Sequence, residues 1–150
     1  MADVARTRTV AADVDEVWAG LADFGAIARW AASVDHSCLM SDQTEGEGTV
    51  RRIQTGRTTL VERVTEWVPP SRLIYTIEGL PPVLGSVVNR WTIEPADGGA
   101  RVSLSTRIEA GPRPPQRLVA RAVGRRLASA ADELLTGLEG AVEGRRELAS

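Results

Sequence analysis

The chain has 150 residues, 43% of them hydrophobic and 25% charged, with a net charge of −2. That length suits one domain, residues 1–150, burying about 70% of its unfolded surface, and the charge gives no reason to expect nucleic acid or an anionic membrane as a partner. All 18 basic residues are arginine, which excludes Schiff-base chemistry, a lysine general base and a P-loop; one cysteine, Cys38, excludes an internal disulfide, and with a single histidine, His36, the usual zinc patterns fail.

The first residues hold no apolar core of signal-peptide length. No stretch approaches the ~18 apolar residues of a membrane span, so a cytoplasmic location is expected. Val4–Val10, rich in β-branched residues, reads as the first strand. Asp13 follows as an N-cap with Glu16 three residues on, the spacing of a capping box. Val14, Val17, Trp18 and Leu21 then share one face of a helix ending near Ala22. Asp23 starts a second short helix to Ala31, carrying Phe24, Ile27, Ala28 and Trp30.

From Ser33 to Glu109 the hydrophobic period is two. It predicts strands at 33–41, 48–56, 58–68, 72–79, 86–95 and 100–109. The breaks between them are turn chemistry: Glu45 to Gly48, Gly56, Pro69-Pro70-Ser71, Gly79 to Gly85, and Asp97-Gly98-Gly99. Sequential strands with short turns predict an antiparallel meander. After Pro115 the period returns to 3.6, and one long helix to about Gly144 carries the stripe Val119, Val123, Leu127, Ala130, Leu134 and Leu138. The order is β-α-α-β6-α, an α+β fold. A seven-stranded sheet must cover its apolar face, and the terminal helix is the only large element left to do so.

That order, over the whole chain, resembles the helix-grip fold of the START-like, or birch-pollen-allergen-like, superfamily (SRPBCC). Several runs look like its bacterial polyketide cyclase/dehydrase and lipid-transport family. They are Val14 to Trp18, Leu21 to Phe24, Ala28-Arg29-Trp30, Gly46 to Arg51, Glu62-Arg63-Val64, Pro69 to Tyr75, Trp91 to Pro95, and Gly99 to Val102. The resemblance implies a cavity between a curved sheet and the long helix that takes a hydrophobic or amphipathic small molecule. Some relatives fold and dehydrate polyketide chains there; others only bind or carry a ligand.

Alternation says which side chains face that space. The inward sets are Val102, Leu104, Thr106 and Ile108; Val87, Asn89, Trp91 and Ile93; Leu73, Tyr75 and Ile77; and Val34, His36, Cys38 and Met40. Strand 58–68 supports two readings, one with Leu60, Glu62, Val64, Glu66 and Val68 inward and the other with Val61, Arg63, Thr65 and Trp67. The first places Glu62 inside. The resemblance favours it, because plant hormone receptors of the superfamily carry a similar Thr-Glu-Arg-Leu run whose glutamate faces the ligand, with another polar contact near the position of His36.

The candidate ligand-binding residues are therefore His36, Glu62, Tyr75, Asn89, Trp91, Leu104, Leu127 and Leu134. A few polar groups in an apolar lining orient a ligand. His36 and Glu62 are the candidates for acid/base chemistry, His36 for its near-neutral titration and Glu62 as an acid raised by desolvation or, alternatively, a surface carboxylate paired with Arg63 or Arg51. Arg117, Arg121 and Arg125 form a helix stripe that reads as a solvated face. Loop 79–85, apolar between Gly79 and Gly85, reads as a lid or as a loop packed on the barrel end.

Three functions follow as expectations: a ligand-binding or lipid-transport protein, an aromatase/cyclase-dehydratase, or a regulatory module that uses loop 79–85. No cofactor and no metal are implied. A second copy of the chain is a candidate partner.

Overall fold

Asp13 starts the first helix as its spacing predicts. Its carboxylate accepts from the Glu16 amide at 2.9 Å, and the Glu16 carboxylate accepts from the Asp13 amide at 3.5 Å. The computed structural model describes residues 2–109 and 114–149; the side chains of residues 2, 83, 114–124, 127 and 145–149 lie outside that description. The elements are β1 (Ala2–Val10), α1 (Val14–Ala22), a 3-10 helix (Phe24–Arg29), β2 (His36–Leu39), β3 (Val50–Thr55), β4 (Thr58–Val68), β5 (Arg72–Glu78), a 3-10 turn (Pro82–Leu84), β6 (Ser86–Ala96), β7 (Gly99–Glu109) and α2 (Pro114–Ala149).

The strands form one antiparallel sheet in the order β1-β7-β6-β5-β4-β3-β2. Its apolar face is covered by α2, which also lies against α1. This is the helix-grip arrangement. Gly137 lets α2 come close to the turn after the 3-10 helix, because any Cβ there would collide with the carbonyl oxygen of Trp30. Along this half of α2, Leu135, Leu138 and Val142 bury fully against Trp18, Leu21 and Trp91 in the larger of two core clusters. The smaller cluster holds Ile27, Ala31, Val34 and Ile53.

Two strands depart from the expected pattern. The strand expected at 33–41 is only His36–Leu39, because Ala31–Val34 forms a turn closed by Val34 N–H to Ala31 O at 3.0 Å. The turn shifts the alternation by one residue. Ser37 and Leu39 face inward while His36, Cys38 and Met40 are exposed. Ser37 Oγ donates to Gly25 O at 2.8 Å and accepts from Ala28 N–H at 3.0 Å, so the 3-10 helix covers that face.

The ambiguity in β4 is settled by a bulge. Val64 opposes Tyr75, but Glu66 opposes Ile74, so Thr65 is an extra residue. Before the bulge Leu60, Glu62 and Val64 point to the core side. After it Trp67 does, meeting Trp18 edge-to-face at 5.2 Å, while Glu66 turns to Arg72 and Val68 is 37% exposed.

A polar row across the wall of an apolar cavity

Hairpin geometry brings the polar residues together. β3 and β4 are joined by Gly56-Arg57, with Thr55 opposite Thr58. Gly56 has φ +61°, the positive value that a two-residue II′ hairpin asks of its first residue. Counting back from that turn places Arg51 directly across from Glu62. On the next strands Tyr75 opposes Asn89, and Asn89 opposes Thr106. All five side chains lie on the α2 side of the sheet and are buried.

Two units result. Arg51 Nε donates to Glu62 Oε1 at 2.7 Å, and Nη2 is also 2.7 Å from Oε1. Nη1 donates to Phe24 O at 3.0 Å. The guanidinium also stacks 3.7 Å from the Phe24 ring centroid and 4.8 Å from that of Tyr75. In the second unit Thr106 Oγ1 donates to Asn89 Oδ1 at 2.5 Å, and Asn89 Nδ2 donates to Tyr75 Oη at 3.3 Å. Trp91 Nε1 donates to the same oxygen at 3.2 Å. Burial, and secondarily the charge of Glu62, push the Tyr75 phenol above its ordinary value, against the opposing pull of Arg51 and the two donors. Tyr75 is therefore a neutral phenol across the physiological range.

Beside this row lies a cavity of about 250 Å³ between the sheet and α2. Its apolar lining includes Ile27, Val34, Ile53, Leu60, Ile77 and Leu104, with Ala130, Ala131 and Leu134 from α2; among the described residues its polar lining is Glu62, Tyr75, Asn89, Thr106, Thr55 and Ser33. Ser33 is exposed and marks where the cavity meets the surface.

Of the candidate ligand-binding residues, Glu62, Tyr75, Asn89 and Leu104 line the cavity from the sheet and Leu134 from α2. His36 does not: the shifted alternation of β2 turns it to the outer surface, away from Glu62. Trp91 is also absent from the lining. It is fully buried behind Tyr75 and packs edge-to-face on Trp30 at 6.2 Å. Leu127 lies outside the described side chains, as do Arg117 and Arg121, while Arg125 is exposed. Loop 79–85 gives no described residue to the lining, and its Leu84 is fully buried. Glu62 is neither a lone acid nor a surface carboxylate but half of a buried ion pair. Pairing of Glu62 with Arg51 was one of the two surface alternatives in the sequence; the burial of Arg51 is what the alternation argument missed. Its signal was the tight turn at Gly56, which fixes the register of the hairpin.

Comparison with known proteins agrees with this geometry. The model of the family described as "Polyketide cyclase / dehydrase and lipid transport" matches residues 1–143. The chain belongs to this family. It finds no match among curated proteins. Among solved structures it is similar to the TTHA0849 protein of Thermus thermophilus, at 21% identity and a TM-score of 0.78, over 96% of this chain and 99% of that one. It is similar to the Zhui aromatase/cyclase of Streptomyces sp. R1128, at 24% identity and a TM-score of 0.75, over 96% and 94%. A protein of Thermobifida fusca is similar at 26% identity and a TM-score of 0.74, over 95% and 96%. Family and fold therefore fit a ligand-binding scaffold. Among the described residues, no helix is long and apolar enough to cross a membrane.

Proposed function

We propose that this chain binds a hydrophobic or amphipathic small molecule, lipid or polyketide-like, in the cavity between the sheet and α2. The observation that carries this reading is an apolar space of about 250 Å³ with Glu62, Tyr75, Asn89 and Thr106 side by side on its sheet wall. Space that folding leaves unfilled forfeits dispersion contacts on every side. An apolar guest restores them, and the polar wall gives it a fixed orientation.

Cyclisation by positioning alone is compatible with such a chamber, and the fold likeness to an aromatase/cyclase supports it. Neither of the two alternative acid/base candidates from the sequence supports it, since His36 is on the outer surface and Glu62 is bound to Arg51. Binding without turnover is the better-supported reading.

The test is a calorimetric titration with small apolar aromatics, beginning with naphthalene, against the wild type and Leu134→Trp. Leu134 is half-buried at the cavity, so the larger ring fills the chamber. Saturable binding to the wild type and at least about tenfold weaker binding to the variant is the expected result. No saturation by any of the probes defeats the reading. Native mass spectrometry of freshly purified protein then identifies any molecule that copurifies.

A further inference from the structure

The polar wall carries two unspent hydrogen-bonding capacities of opposite kind, both within the cavity lining. The first is on Glu62. Both close approaches of Arg51 reach Oε1. Among the described residues, no hydrogen bond reaches Oε2. No fully enclosed side-chain oxygen or nitrogen among them lacks a partner. Oε2 therefore keeps surface open to the space that Glu62 lines, although the residue is only 3% exposed.

The second is on Tyr75. An indole N–H can only donate, so the Tyr75 oxygen is the acceptor from Trp91. It also accepts from Asn89, whose own carbonyl is taken by Thr106. Both lone pairs of the phenol are used and its proton is not. Tyr75 is likewise on the cavity wall. Glu62 and Tyr75 are near neighbours on one face of the sheet, since Glu62 opposes Ile77, two residues from Tyr75.

An acceptor and a donor side by side match a group that both donates and accepts. A hydroxyl does so; a carboxylate has no proton to give Oε2 and brings a second negative charge. No cationic side chain is among the described lining residues; Arg51 is not one of them, and each of its three guanidinium nitrogens already contacts Glu62 or Phe24. The volume, about 250 Å³, lies below the ~300 Å³ at which drug-sized sites begin, which leaves room for one or two fused rings.

We propose that the cavity selects a neutral, hydroxyl-bearing compound of one or two rings and rejects the carboxylate of the same skeleton, with the hydroxyl held between Glu62 Oε2 and the Tyr75 phenol proton. This inference rests on the binding reading above and sharpens it: fatty-acid-like ligands are disfavoured, and phenols or cyclic alcohols are preferred.

Four probes of one skeleton test it without any substitution: naphthalene, 2-naphthol, 2-methoxynaphthalene and 2-naphthoate, titrated near neutral pH by calorimetry. The expected order places 2-naphthol about tenfold or more tighter than naphthalene, because one of its hydrogen bonds is to a charged group. The methoxy compound, which cannot donate, falls back to within about threefold of naphthalene, and the carboxylate binds weakest. A carboxylate that binds as well as 2-naphthol, or a methoxy compound that matches it, overturns the inference and leaves the binding reading standing. Failure of all four to bind overturns both. Glu62→Gln adds a check on sign: it frees the Arg51 guanidinium, so the preference between 2-naphthol and 2-naphthoate narrows or reverses. A folded Glu62→Gln protein that keeps the wild-type preference also overturns the assignment of Oε2.

Discussion

The two ends of the space beneath the sheet are built by the same strands and the same helix, yet one is solid and the other hollow. At the solid end two indole pairs meet edge-to-face, Trp18 on Trp67 and Trp30 on Trp91, and Leu135, Leu138 and Val142 of α2 belong to the same packed cluster. At the hollow end the helix presents Ala130, Ala131 and Leu134 to a polar row. Small side chains on α2 opposite a hydrogen-bonded row leave room, and closing it would press apolar groups onto Glu62 and Tyr75 where they still have hydrogen-bonding capacity to spend. In this fold, polarity on one wall keeps a space open that bulk fills elsewhere.

The largest effect expected from breaking that contrast is at the hollow end's ion pair. Arg51→Ala leaves a buried carboxylate unpaired and should cost about 3–5 kcal/mol in urea unfolding. A cost below about 1 kcal/mol would show that the pair does not hold the wall. Next comes truncation along α2. Leu138→Ala opens a cavity in the solid end and should cost about 2–5 kcal/mol. Leu134→Ala only enlarges an existing space and should cost roughly half as much or less. Equal costs at the two positions would erase the distinction between the ends.

Filling reverses the sign. Ala130→Leu adds apolar volume where there is a void and should raise stability by about 0.5–2 kcal/mol while weakening naphthalene binding. Gly137→Ala, at the close approach to Trp30, should lower stability. Denaturation and titration of the two variants side by side check both signs.

A smaller effect is confined to alkaline solution. Tyr75 spans the two ends, its ring meeting Phe24 at 5.5 Å and its oxygen reaching Trp91 and Asn89. Its folded pKa is raised above the ordinary 10.0, so the folded state holds the proton longer than the unfolded chain does. Stability from this source is complete below that value and is lost as pH rises through the folded pKa. It is the only tyrosine, so ultraviolet titration follows it without assignment, and in Tyr75→Phe the loss of stability at high pH should be shallower than in the wild type. The least effect belongs to the half-exposed pair after the bulge. Glu66→Gln removes its contact with Arg72 and should cost at most about 1 kcal/mol.

How far the site could be seen in advance depended on strand length. β6 and β7, eleven residues each, declare their faces through several turns of alternation, and Asn89, Leu104 and Thr106 lie where that pattern puts them. β2 has four residues, and the alternation of Val34, His36, Cys38 and Met40 runs straight through a turn that the sequence does not advertise. In β4 the two competing patterns were the bulge itself, each correct for one half. Arg51 could be named as a partner for Glu62, but its burial was concealed, because an arginine in a strand reads as solvent-facing; the turn at Gly56 is what chooses it over Arg63. The size of the void depends on packing differences of a few ångströms, which no pattern of residue types encodes.

The extra residue in β4 has a consequence for anyone altering this protein. Thr65 is where a single strand changes which of its neighbours look inward. Removing it would bring two incompatible frames into one, so that either the carboxylate beside the chamber or the indole of Trp67 would be flung to the outside. Attempts to reshape the chamber by shortening or lengthening this strand should therefore be made beyond residue 65 or before it, never across it.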